Sequence, residues 1–243
     1  MNAWQVFLNG VNKRIASMRS MSTPDPYFRG HADRTWKLEP GLSRHKRTNP
    51  RFTSITEDRL YWSFRMRGSH LLPQNSSGWT VLFYMQHYGL PTRLLDWSTN
   101  FANALFFAIE GSCNSPCVWI LDPYALNLKS NLSKSISNIN VSNTMDYANW
   151  LDTDSKPEGA VATEGDSSVD RIRSQGGAFT LHGDLDTSLE DLYPNTLTCH
   201  ELPQKAIPAA RQFLELAGVN DSTIFPDLSG LSTHLKKREL GNN

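Results

Sequence analysis

LFYMQHYGLPTRLLDWSTNFANALFFAIE, residues 82–110, sets polar side chains inside an apolar segment. Gln86, His87, Arg93, Asp96, Ser98, Thr99 and Asn100 lie among Leu82, Phe83, Tyr84, Leu94, Leu95, Trp97 and the apolar run 104–109. A buried polar group without a partner costs about 1–3 kcal/mol, so a purely structural core would omit most of them. The segment therefore reads as a pocket wall. Its local signals also fix the order of elements. A helix over 78–87 ends where Gly89 and Pro91 interrupt it, and residues 93–97 form a short strand. Ser98, Thr99 and Asn100 then offer caps for a largely buried helix over 101–109. The continuous apolar run CVWIL, 117–121, has the length of a strand.

Working outward, Trp4, Phe7, Leu8, Val11, Ile15 and Met18 recur at helical spacing. They predict an amphipathic helix over 3–19 that packs on the domain and ends at 22–26. Tyr27-Phe28-Arg29-Gly30 reads as a short strand, with Gly30 permitting a tight turn or close approach of backbone to a ligand. Pro40-Gly41 precedes a short helix, and residues 53–70 suggest another. Residues 124–170 are rich in Asn, Ser, Asp and Thr, and the tract KSNLSKSISNINVSN, 129–143, has no strong period. They read as a long, partly mobile insertion. Ala178–His182 alternates as a half-buried strand. A strand over 199–202, a helix over about 204–217 and a C-terminal helix ending in the basic run 234–239 complete the chain.

The 243 residues carry 24 Lys plus Arg against 24 Asp plus Glu, a formal charge of zero. That balance lacks the overall footprint expected of non-specific nucleic-acid or anionic-membrane binders. The local run Arg44, His45, Lys46, Arg47 and Arg51 reads as a solvated loop. Three cysteines make no disulfide framework, and neither Cys113/Cys117 nor Cys199-His200 has the short spacing of a structural zinc site. Free thiols in a reducing compartment, no metal, no membrane partner and a cytoplasmic location are expected. GxGxxG after a strand, GxxxxGK[ST], HExxH and GxSxG are all missing, so the common dinucleotide folds, P-loop enzymes, zinc proteases and hydrolases lack their mechanical parts.

YFRGHADRTWKLEPGLSR, MQHYGLPTRLLDWSTNFANALFFAI, RSQGGAFTLHG and FPDLSGL together resemble the FRG domain, named for Phe28-Arg29-Gly30. The resemblance spans 27–231. It implies an N-terminal helix over 1–22 and a single FRG domain over 23–243, with 124–168 variable and C-terminal helices over 204–243. A second, more distant resemblance is to arginine-type ADP-ribosyltransferases, in three ordered pieces. These are Arg29 on a first strand, Trp97-Ser98-Thr99 before the helix with Ala104–Ala108, and Gln175 ahead of Gly176-Gly177-Ala178-Phe179. It implies an α+β fold with a mixed or antiparallel sheet core flanked by helices, and NAD as substrate.

On that resemblance Arg29 anchors the diphosphate by paired charge-assisted hydrogen bonds, with Gly30, His31, Thr99 and Tyr88 beside it, and Gln175 and Ser98 act at the ribose. Loss of nicotinamide develops oxocarbenium character that the site must stabilise. Gln175 stands where the common glutamate would be, and its amide does not ionise. The implied activity is ADP-ribosyl transfer by a toxin or phage-defence effector, with a protein or nucleic acid as acceptor and an antitoxin or regulatory protein as partner. The alternative is a non-catalytic FRG module that binds a nucleotide or protein.

Competing duties stand beside these roles. Arg93 and Asp96 are expected to form a buried ion pair that shapes the pocket. His87 is a substrate ligand, a proton carrier or a hydrogen-bonded helix-terminal histidine. Ser98 and Thr99 contact ribose or cap the next helix, and Tyr88 and Trp97 stack on a ring or belong to the core.

Overall fold

The computed structural model describes residues 1–20, 25–53, 55–74, 76, 78–130, 136–138, 147–153, 156–166 and 169–241. The expected helix end at 22–24 and most of the tract 129–143 lie outside them. Among the described residues, seven strands form one sheet: β1 (Tyr27–His31), β2 (Leu94–Ser98), β3 (Cys117–Leu121), β4 (Ser137–Asn138), β5 (Ala160–Glu164), β6 (Gly177–His182) and β7 (Leu197–Glu201). Their order is β4-β5-β6-β2-β1-β3-β7. Among these strands β4, two residues long, pairs in parallel with β5, and the other neighbours are antiparallel.

Period-2 alternation assigns the side chains to two faces. Tyr27, Leu95, Trp97, Leu121, Ala162 and Ala178 pack in one cluster, which is covered by α6 (Pro123–Lys129) and α9 (Leu189–Leu192). The opposite face carries two separate clusters. Phe28, Val118 and Ile120 pack beneath α1 (Ala3–Ser20), α5 (Phe101–Ile109) and α10 (Ile207–Leu216). Leu94, Phe179 and Leu181 pack beneath α3 (Thr56–Arg67), α4 (Gly78–His87) and α7 (Tyr147–Leu151). Between these helical groups, the middle of β2 is left open.

Helix α1 follows its apolar spacing, with Phe7, Val11 and Met18 buried, and α2 (Gly41–Thr48) begins after Pro40. Of the three proposed caps before α5, Asn100 is the one whose side chain accepts from Ala102 N–H. The stretch read as an insertion differs from expectation. It supplies β5, paired along its whole length with β6, and α7, whose Tyr147 and Trp150 are buried. Small residues carry β5 (AVATE), and two aromatics three residues apart in sequence carry α7, so neither leaves a long periodic trace. Short α8 (Asp170–Ser174), a 3-10 turn (Gln204–Ala206) ahead of α10, α11 (Asp221–Ile224) and the C-terminal α12 (Leu228–Leu240) complete the described elements. No described helix is long and apolar enough to cross a membrane.

Candidate functional site

Strands β1 and β2 share one ladder position, Phe28 opposite Ser98. Continued pairing would set Gly30 against Asp96, but the strands part there. A cavity of about 420 Å³ occupies the split, lined by residues including Arg29, His31, Gln86, His87, Asp96, Ser98, Arg171 and Gln175. That size falls within the range of small-molecule sites, about 300–1,000 Å³. The split follows from packing as well as register. At Gly30 a Cβ would lie 1.9 Å from the Ala104 carbonyl oxygen and 2.6 Å from Ala108 N. The close approach that Gly30 allows is therefore to helix α5, which pins β1 while β2 turns away.

Arg29 bridges the opening. Its Nη1 donates to the Asp96 carbonyl at 2.6 Å, an acceptor that no β1 ladder partner takes, and its Nε donates to His31 Nε2 at 3.0 Å. His31 is buried and accepts from a cation, so it is neutral; burial first and the Arg29 charge second pull its pKa down to about 3. It orients the guanidinium rather than carrying charge itself. Burial also lowers the Arg29 pKa, with Asp96 opposing that shift and Arg44 reinforcing it.

A second guanidinium faces the same space. Arg171 on α8 lies over the Phe225 ring at 4.6 Å and donates to the His87 carbonyl at 3.4 Å. Burial lowers its pKa too, while Asp96 and then Asp227 favour its charged form. The sequence reading did not single out Arg171 as a site residue. Its signal was position: it precedes Gln175 by four residues, one helical turn.

Asp96 points into the cavity between the two helical groups. Its Oδ2 accepts from Gln86 Nε2 at 2.7 Å, and Gln86 Oε1 accepts from the Thr92 hydroxyl at 2.5 Å. Arg93 does not pair with it. Arg93 Nε instead lies 2.7 Å from Glu57 Oε2 on α3. The expected Arg93–Asp96 pair is thus replaced by Arg93–Glu57, and neither of those two residues lines the cavity.

Ser98 and Gln175 meet at the cavity wall, where the Ser98 hydroxyl and the Gln175 amide nitrogen bond to protein groups. Ser98 Oγ donates to the Gln175 carbonyl at 2.6 Å and accepts from Asn100 N–H at 3.0 Å. Gln175 Nε2 donates to the Ile224 carbonyl at 3.1 Å. Gly176 has φ 56, and a Cβ there would meet Thr99 Oγ1 at 2.8 Å; this left-handed turn brings its carbonyl to Thr99 N–H at 2.8 Å. Thr99 is not among the cavity-lining residues and faces a separate groove. Tyr88 is 68% exposed outside the cavity, with the edge of His87 against it. Trp97 reaches the cavity wall, yet its indole N–H donates to Thr180 Oγ1 within the core.

Within the basic run, Arg47 pairs with Glu39 at 2.8 Å and Lys46 with Asp186 at 2.6 Å, while Arg44 donates to the Glu39 carbonyl at 2.6 Å. Cys113, Cys117 and Cys199 are free thiols. Residues 25–116 match the family model of the FRG domain. The match contains the Phe28-Arg29-Gly30 tripeptide and the whole 82–110 segment, and it stops before Arg171 and Gln175. No curated protein and no solved structure matches the chain.

Proposed function

We propose that this FRG-domain protein binds NAD in the split between β1 and β2 and transfers its ADP-ribosyl group, as a toxin or defence effector. The observation that carries the reading is the convergence of two partly desolvated guanidiniums, Arg29 and Arg171, on one cavity. Paired guanidiniums suit a diphosphate, whose oxygens accept parallel hydrogen bonds. In the transfer, the bond from ribose C1′ to the nicotinamide nitrogen breaks and its electron pair leaves with nicotinamide. An acceptor lone pair on a protein or nucleic acid then bonds to C1′, and the acceptor's proton goes to solvent. An antitoxin or regulatory protein would restrain such an activity.

Incubation of the protein with NAD should release nicotinamide, and Arg29→Ala or Arg171→Ala should reduce release by at least about tenfold, the loss of about 1.4 kcal/mol of transition-state binding. No release, together with no NAD-induced rise in Tm, would remove the proposal.

A binding-only reading is favoured by the occupied hydroxyl of Ser98 and the amide of Gln175, which donates to protein rather than to ligand. It predicts a rise in Tm with NAD and no nicotinamide. The same two assays separate the readings.

A further inference from the structure

The polarity of one hydrogen-bond chain follows from its two ends. Leu94 N–H can only donate, and it donates to Thr92 Oγ1 at 3.0 Å. The Thr92 hydroxyl proton goes to Gln86 Oε1, which leaves the Gln86 amide nitrogen to donate to Asp96 Oδ2. The chain thus ends on a carboxylate oxygen that acts as an acceptor, presented to the cavity by a buried threonine and a fixed amide. Reversing Gln86 would set its carbonyl against the Asp96 carboxylate oxygens.

The surrounding charges alternate in sign. Arg29 reaches the backbone carbonyl of Asp96 itself, and Arg171 faces the same cavity. The Asp96 charge favours the ionised form of both guanidiniums. A ligand that lays a diphosphate on the arginines therefore brings another part of itself against a carboxylate. A neutral group there desolvates Asp96 without replacement, whereas a cation pairs with it.

We propose that Asp96 is the cation-recognising residue of this cavity and makes it select oxidised over reduced nicotinamide dinucleotide. The inference rests on the dinucleotide reading above. Both redox forms share the diphosphate, the adenosine and the ribose next to the ring, and only the oxidised ring bears a positive charge. The same carboxylate would sit beside the cationic ribose formed when nicotinamide departs, a duty that the Gln175 amide cannot perform by charge.

Calorimetric titration with NAD, its uncleavable carbocyclic analogue, NADH and ADP-ribose tests this. The wild-type protein should bind both oxidised ligands roughly tenfold or more tighter than NADH, as one close charge pair in a partly desolvated site provides. Asp96→Asn should bring that ratio below about twofold while ADP-ribose binds as well as before or better. Thr92→Val keeps the carboxylate but frees Gln86, and should lower the ratio part of the way. Equal binding of NAD and NADH by the wild-type protein, with ADP-ribose still bound, overturns the role of Asp96 and leaves the dinucleotide reading standing; this arm needs no variant to fold. A ratio unchanged in Asp96→Asn also overturns it. Failure of the wild-type protein to bind ADP-ribose or NAD removes both.

Discussion

Arg93 Nε lies 2.7 Å from each carboxylate oxygen of Glu57, and one of those oxygens also accepts the Tyr147 hydroxyl at 2.5 Å. Arg93 Nη1 completes the set by donating to the carbonyls of His182 and Gly183 at 3.2 and 2.8 Å. The cluster ties the entry of β2 to α3, α7 and the end of β6. Burial first, then the Glu57 charge, hold the Tyr147 pKa well above the ordinary tyrosine range, so this hydroxyl remains a donor at neutral pH. With the Arg93 and Glu57 side chains only 12% and 9% exposed, Glu57→Gln should lower unfolding free energy by about 3–5 kcal/mol, because it leaves a buried guanidinium unpaired. Urea denaturation measures this, and a change under about 1 kcal/mol would show that the pair is not what anchors β2.

Gly30→Ala should be more disruptive than its single methyl suggests. The atoms it would strike, Ala104 O and Ala108 N, belong to the α5 backbone and cannot rotate aside. We expect a loss of about 3 kcal/mol or more, read as a lowered Tm or an insoluble product. Gly89→Ala is a useful contrast: Gly89 has φ 80 but no atom within 4 Å of a Cβ, so its cost, about 1 kcal/mol, is backbone strain alone.

Much of the sheet was legible because its central strands keep strong local signals: YFRGH, LLDWS, CVWIL and GAFTLH are apolar or alternate, and each is bounded by polar or turn residues. Strand β5 was not, since Ala160 and Ala162 fill their positions against large neighbours elsewhere and carry little hydrophobicity themselves. The same division holds for the site. Arg29, Asp96, Ser98 and Gln175 stood out by residue type in an apolar setting, and all four line the cavity. The partner of Arg93 did not, because Glu57 lies 36 residues upstream on a helix of ordinary polar composition. Nor could the sequence show that Ser98 and Gln175 would satisfy each other. That depends on the left-handed turn at Gly176, a consequence of β2 pairing with β6.

Ser98→Ala separates a structural hydroxyl from a chemical one. Removing Oγ leaves the Gln175 carbonyl and the Asn100 N–H without this partner, and Ser98 is buried. Stability should fall by about 1–3 kcal/mol. Below the melting range, affinity for ADP-ribose should stay within about twofold of wild type, since the hydroxyl is committed to protein. A large loss of affinity with unchanged Tm would assign Ser98 to the ligand instead.

Acid should weaken the fold through two neutral histidines. His31, against Arg29, and His182, beside Arg93 and Asp184, both have pKa values lowered to about 3, chiefly by burial. In the unfolded chain each returns to about 6.5, so between those values the unfolded state binds more protons than the native state. Their contribution is complete above about pH 6.5 and is lost as pH falls towards 3. The slope approaches roughly 1.4 kcal/mol per pH unit for each histidine. At pH 5 the protein should therefore be less stable than at pH 7 by roughly 2 kcal/mol for each residue. His182 Nε2 shares a hydrogen bond of 2.9 Å with Thr180 Oγ1, and His182→Gln keeps a polar group within reach of that hydroxyl while removing the titration. This variant should show a shallower acid slope than wild type, whatever its stability at pH 7. A wild-type Tm that stays level from pH 7 to pH 5 would mean that these imidazoles take up protons in the folded protein, and that His31 does not stay neutral beneath Arg29.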